Sequence, residues 1–276
     1  MNALLRVGGT DLEVDLSSPV SLGLELDFAA PQPRHFGAPP ATSRPYAVPG
    51  FSGAVASGAS CNCAVVTLVP HCNGTHTESA GHLTLEPLDA HRVAPAGLVP
   101  ALLVTVTLVM ADATHETSDP APHSGDRLVT RSAIESRWPQ ALPFDVQALV
   151  VRTGSALGPS SPYLTREAAR LLVERGIQHL VIDLPSIDRE HDEGRLCAHR
   201  LFFGLPPGVS SLVQASRPGA TVTELAHIPG ALADGPYLLQ LQMPAWRGDA
   251  VPSRPLLYAV RECMSHGSRL SSPMKP

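Results

Sequence analysis

Between His71 and His82 the chain places three imidazoles, a carboxylate and a thiol within twelve residues: His71-Cys72-Asn73-Gly74-Thr75-His76-Thr77-Glu78-Ser79-Ala80-Gly81-His82. Imidazole nitrogen and carboxylate oxygen are the donors that Zn2+, Mn2+ or Fe2+ take as ligands. Gly74 turns the backbone, and residues 75–78 read as extended. His76 and Glu78, two positions apart on a strand, then share a face. His82 follows four residues after Glu78, beyond a Ser-Ala-Gly bend, and can fold back over the same point. A lone histidine in a polar loop more often bonds the backbone. Three of them beside Glu78 argue for a metal site.

Such a cluster needs a scaffold. Residues 63–69 form an apolar, β-branched run that ends at Pro70, which predicts a buried strand delivering His71. Residues 99–110 read as a central strand and 12–16 as a short alternating one. Residues 147–153 predict a strand, followed by a Gly/Ser/Pro-rich loop through Pro162 and then a helix. Thr165 is its N-cap, Glu167 lies in its first turn, Ala168, Leu171 and Leu172 form its buried stripe, and Gly176 stops it. Residues 179–184 give the next buried strand, and this β-loop-α-β order predicts parallel pairing. Residues 193–203 have helical spacing and carry His199. Residues 221–226 predict a strand with Glu224 near its end, on its own as well suited to a solvent-facing edge as to a site. Residues 235–243 and 254–260 close the chain as two strands around Trp246-Arg247-Gly248-Asp249. Residues 29–60 are a proline-rich loop. Residues 112–127 are polar, and His115 and Glu116 there read as solvated rather than ligating. The expectation is α/β, one domain with a mixed sheet over 1–263 and a frayed tail over 264–276.

Composition narrows the class. Hydrophobic residues make up 43% and charged residues 16% of the 276, which is globular rather than disordered. The net charge of −5, without a Lys/Arg run, argues against nucleic acid as a partner. Five cysteines form no disulfide framework, and Cys61, Cys63, Cys197 and Cys263 read as reduced, small apolar residues. Residues 1–10 lack a basic n-region and a long apolar h-region, and the longest apolar run is too short for a bilayer. A soluble cytoplasmic protein with no membrane partner is expected. No Gly-x-Ser-x-Gly motif supports a serine hydrolase.

Gly74-Thr75-His76-x-Glu78-x-x-x-His82 resembles the Gly-Thr-His-x-Asp-x-x-x-His pattern of the cyclase-like metal-dependent hydrolases, which include bacterial kynurenine formamidases. Further similar stretches follow in family order. They are Asp15-Leu16-Ser17-Ser18-Pro19, Ser186-Ile187-Asp188, Ala198-His199-Arg200 in place of Ala-His-His, and the strand bearing Glu224. Together they span most of the chain, from about Asp15 to Val260. The departures are specific. Glu78 stands where the family has Asp, and Ser79-Ala80 replaces Ala-Pro. His71 lies five rather than four residues before His76, leaving Cys72 at the family's spacing, so either His71 or Cys72 is the first ligand. The family's aromatic lid residue, often Trp, has no Trp counterpart before Trp138; Phe28, Phe36, Tyr46 or Phe51 would have to serve.

The resemblance implies a swivelling β/β/α fold and one or two divalent ions, Zn2+ or Mn2+, held by His71 or Cys72 with His76, Glu78, His199 and Glu224. It implies His82 as general acid/base. Asp188 is either a turn acid or the residue that orients a ligand. The implied activity is metal-dependent hydrolysis of an amide, most readily an aryl formamide such as N-formylkynurenine in tryptophan breakdown, by a homodimer. The competing expectations are a cyclic amide substrate or a non-catalytic protein that binds a small ligand.

Overall fold

The computed structural model describes residues 1–155 and 160–263, so the tail expected over 264–276 and the middle of the loop before Pro162 lie outside the described residues. Its main sheet draws on β1 (Asn2–Val7), β2 (Thr10–Asp15), β3 (His76–Ser79), β4 (Val99–Thr105) and β5 (Ala148–Arg152). It continues with β6 (His179–Ile182), β7 (Thr221–Glu224), β8 (Gly235–Gln242), β9 (Ala250–Pro252) and β10 (Arg254–Glu262). The order across the sheet is β1-β2-β10-β8-β4-β5-β6-β7-β3-β9, with the short strand Val20–Ser21 beside β10. The strands β4, β5, β6 and β7 run parallel, and their neighbours β8 and β3 run antiparallel to them. This is the mixed α/β sheet that the strand and helix order predicts.

The central strands are apolar on both faces because both are covered. Alternate residues sort accordingly. Leu102, Val104, Leu149, Val151, Leu180 and Ile182 pack under the helices α2 (Arg166–Glu174) and α3 (Cys197–Phe203) with Ala168, Leu172, Phe202 and Phe203. Ala101, Leu103, Ala148, Val150 and Val181 face the other way, onto Tyr237, Leu239 and Leu257. Thr165 caps α2, its hydroxyl accepting the Ala168 N–H, and Gly176 stops the chain in the left-handed region at φ 71°. No helix among the described residues is long and apolar enough to cross a membrane.

Two expectations are corrected, and a third, for the cysteines, holds in part. The run leading to His71 is a strand over Ala64–Thr67, but it is largely exposed and pairs only with Thr42–Pro45 in a two-stranded ribbon. The helix carrying His199 starts at Cys197 rather than at Glu193. The Asp192 carboxylate accepts the Gly194 and Leu196 N–H groups, and Glu193, Gly194 and Leu196 all have left-handed φ, which a helix cannot absorb. Cys61, Cys63 and Cys263 are exposed, whereas Cys72 and Cys197 are buried; all five are free thiols.

Candidate metal centre

The site lies at the carboxyl ends of the parallel strands, where α/β sheets open a crevice. In the antiparallel register of β3 and β7, Glu224 stands directly opposite His76, and Val222 opposite Glu78. Cross-strand partners share a face, as do positions two apart, so His76, Glu78 and Glu224 all point to one side. They are almost fully buried. Glu224 is thus an internal carboxylate rather than a solvated edge. The short helix α1 (Pro70–Asn73) delivers His71, and the turn of residues 80–83 brings back His82. Thr75 pins the approach: its hydroxyl donates to the Leu225 carbonyl at 2.5 Å and accepts the Leu24 N–H at 2.8 Å.

The side chains form two adjoining groups. His76, Glu78 and Glu224 bring ligand atoms within 4.8 Å of one another, and so do His71, His82 and Asp249. Glu78 stands between them. Its Oε1 lies 2.7 Å from His199 Nε2, and its Oε2 lies 3.5 Å from His71 Nε2 and 4.0 Å from His82 Nδ1. His76 Nε2 and His199 Nε2 each lie 3.4 Å from a Glu224 oxygen. Asp249 Oδ2 lies 3.1 Å from His71 Nε2 and 3.4 Å from His82 Nδ1.

These close pairs are not hydrogen bonds. His71 Nε2, His76 Nε2, His199 Nε2 and both Glu78 oxygens are buried without a hydrogen-bond partner. The ligand atoms of each group are nevertheless crowded together, within 4.8 Å of one another. Five orphaned polar atoms would each cost about 1–3 kcal/mol if nothing else met them. A nitrogen and oxygen donor set of this kind fits a divalent cation.

The outer contacts set the tautomers for that role. His76 Nδ1 lies 3.0 Å from the Gly74 carbonyl, which accepts its proton and leaves a lone pair on Nε2. His199 Nδ1 lies 2.7 Å from Asp188 Oδ2, an acceptor-only carboxylate, with the same result. Asp188 also accepts the N–H groups of Ala198 and His199, so it holds both the ring and the start of α3. It is turn acid and orienting residue at once. Glu224 Oε1 accepts the Ile187 N–H at 2.7 Å. Burial disfavours imidazolium at His199, yet Glu78, Asp188 and Glu224 together raise its pKa well above the usual value. Burial likewise opposes ionisation of Glu224, and the His199 and His76 rings overcome it and hold its pKa low. A field that draws protons this strongly draws a cation too.

Of the anticipated residues, His71, His76, Glu78, His82, His199, Glu224 and Asp188 meet here. Cys72 does not: its thiol belongs to neither ligand group, and burial together with the Glu224 charge raises its pKa, keeping it neutral. His115 is exposed, and Glu116 binds the starts of two helices instead. Asp249 was not foreseen as a site residue. Phe36 supplies the aromatic wall of a cavity of about 240 Å³ over the cluster, which Arg189 and Leu196 also line.

Residues 14–189 match the family model described as "Putative cyclase", and the chain belongs to that cyclase family. Among solved structures it is similar to a predicted metal-dependent hydrolase from Bacillus stearothermophilus, with TM-score 0.56 and 17% identity over 87% of this chain and 98% of that one. It is also similar to isatin hydrolase A from Labrenzia aggregata, with TM-score 0.54 and 18% identity over 87% and 93% of the two chains. A further isatin hydrolase, bound to the product analogue thioisatinate, has TM-score 0.55 and 15% identity, covering 88% and 93%. At these identities the likeness establishes the fold. No match is found among curated proteins.

Proposed function

We propose that this chain is a metal-dependent hydrolase of a small amide, with an aryl formamide such as N-formylkynurenine or a cyclic amide such as isatin as the substrate class. The observation that carries the reading is the convergence of five buried, unpartnered ligand atoms from His71, His76, Glu78 and His199. Membership of the cyclase family and the likeness to isatin hydrolases support it. Zn2+ or Mn2+ and a homodimer accompany the reading through the resemblance, and a cytoplasmic setting is part of the proposal.

His76, Glu78, His199 and Glu224 would hold the cation, and Glu78 faces His71 as well. A divalent cation bound there supplies a polarised carbonyl and a water whose pKa falls from 15.7 toward about 7. The protein does the rest. His82, about a quarter exposed at the cavity edge, is placed to take a proton from the attacking water and return it to the leaving nitrogen. The Glu78 charge raises the pKa of His82 against its burial, and the nearby Asp249 adds to this. His82 Nδ1 lies 3.4 Å from Asp249 Oδ2 and 4.0 Å from Glu78 Oε2. Phe36 and Leu196 offer apolar walls to an aryl ring.

Metal content by mass spectrometry tests this on the purified chain beside a His76→Ala/Glu78→Ala variant. One or two Zn2+ or Mn2+ ions per chain, lost in the variant, are expected. Turnover of N-formylkynurenine or isatin should then be abolished in His82→Ala with metal retained. A folded chain that stays metal-free after incubation with both ions would sink the reading.

A further inference from the structure

Behind residues 192–196, a second cavity of about 380 Å³ backs onto the metal centre, and Gly194 lines both. Four arginines, Arg166, Arg170, Arg195 and Arg200, are among the residues that line it, with a single acidic residue, Asp119. Arg166 and Arg170 lie four residues apart on α2, on one face, where like charges repel. Arg166 also opens the helix, whose amino end is its positive pole and disfavours a cation. Both features oppose folding unless something negative offsets them.

The one carboxylate that lines the cavity, Asp119, forms no ion pair within 4.0 Å with any of the four among the described residues. Among the described residues, Arg166, Arg170 and Arg200 form no ion pair within 4.0 Å, and Arg195 reaches only Glu193, at 3.7 Å with both side chains largely exposed. Such a contact is worth little. Arg200 is nevertheless held in place. Its Nε donates to the Arg195 carbonyl at 3.1 Å, and its Nη1 donates to the carbonyls of Pro206 and Val209 at 3.2 and 2.7 Å. Neutral carbonyls fix the fork without neutralising it, and among the described residues Nη2 has no hydrogen-bond acceptor. The remaining wall is apolar, formed by Leu201, Leu205 and Pro207.

We propose that this cavity binds a small organic anion, a carboxylate carried on an apolar body, at a site separate from the metal centre. Guanidinium forks match carboxylate oxygens in pairs, and the leucines take the body. The volume is within the usual range of small-molecule sites.

Isothermal titration of the full-length chain with benzoate at low ionic strength tests this, with neutral benzamide as the control of equal shape. Arg170 and Arg195 are exposed, so Arg170→Gln, Arg195→Gln and the double variant should keep the fold. Saturable benzoate binding is expected, weakened by at least about tenfold in the double variant and by at least about tenfold for benzamide, since the charge-assisted bonds are lost in each. Benzoate binding that is undiminished in the double variant would place it elsewhere, at the metal centre included, and overturn the proposal. So would benzamide binding as tightly as benzoate, or no saturable binding by the unmodified chain.

Discussion

Asp188 holds His199 twice: one carboxylate oxygen lies 2.7 Å from the ring Nδ1 and accepts the backbone N–H of the same residue at 3.0 Å. The contact fixes the tautomer that turns Nε2 toward Glu78 and Glu224. In Asp188→Asn the amide can present a donor where only an acceptor serves, and the ring loses its orienting charge. Zinc affinity, read by competition with a chromophoric chelator, should fall by about 10–100-fold. Folding should cost about 1 kcal/mol, because α3 keeps only part of its cap. An unchanged affinity would remove Asp188 from the metal centre.

Glu78→Asp restores the residue type of the family pattern, yet it should impair this chain. The shorter side chain withdraws the carboxylate by about one C–C bond, roughly 1.5 Å. Oε1 now sits 2.7 Å from His199 Nε2 while Oε2 spans toward His71 and His82. A shorter reach cannot serve both sides. Retained metal per chain, measured after dialysis against a weak chelator, should drop by about tenfold in affinity terms, the scale on which misplaced support for ligands is felt. Equal or tighter binding would show that the longer side chain is not what sets the ligand spacing here.

What the sequence reveals of this site is what local periodicity encodes. His76 and Glu78 share a face because strands repeat every two residues, and Thr165 caps α2 because its hydroxyl precedes the helical stripe by the right step. Asp249 was invisible for the opposite reason. Its place beside His71 and His82 depends on β9 pairing with β3, Ala250 opposite Glu78, a contact between distant segments that no local pattern announces. The run before Pro70 misled in a similar way: β-branched residues mark a strand, but not whether it is buried or forms an exposed ribbon. Residues 193–196 carry helical spacing, and the Asp192 carboxylate overrides it by taking the Gly194 and Leu196 N–H groups.

His179 gives stability a pH dependence that owes nothing to the metal centre. Burial, aided by the charge of Arg217, pulls its pKa down from 6.5 to about 4. Its Nδ1 lies 2.9 Å from Thr221 Oγ1. Between these two values the unfolded chain binds a proton that the folded chain refuses, so stability rises with pH across the window and is lost as pH falls through it. The shift corresponds to about 3 kcal/mol. Urea melts at pH 7 and pH 4 should show that component in the unmodified chain, and a His179→Gln variant should lose less over the same interval. An identical loss in both would exclude His179 as the source.

Glu116 shows how a polar loop can carry structure. Its carboxylate accepts the N–H of Arg131 at 2.7 Å and of Ser132 at 3.2 Å, at the start of the helix Arg131–Glu135. It also accepts the hydroxyl of Thr165, the cap of α2, at 2.6 Å. One anion therefore joins two helix amino ends, where the dipoles favour negative charge. Removing it in Glu116→Ala leaves three donors short of an acceptor. Because the carboxylate is partly exposed and water can replace some of these bonds, the expected loss is about 2 kcal/mol in urea denaturation. Metal content should stay unchanged, since no ligand rests on this residue. A variant that kept its stability but lost metal would reverse the assignment and make Glu116 a candidate ligand.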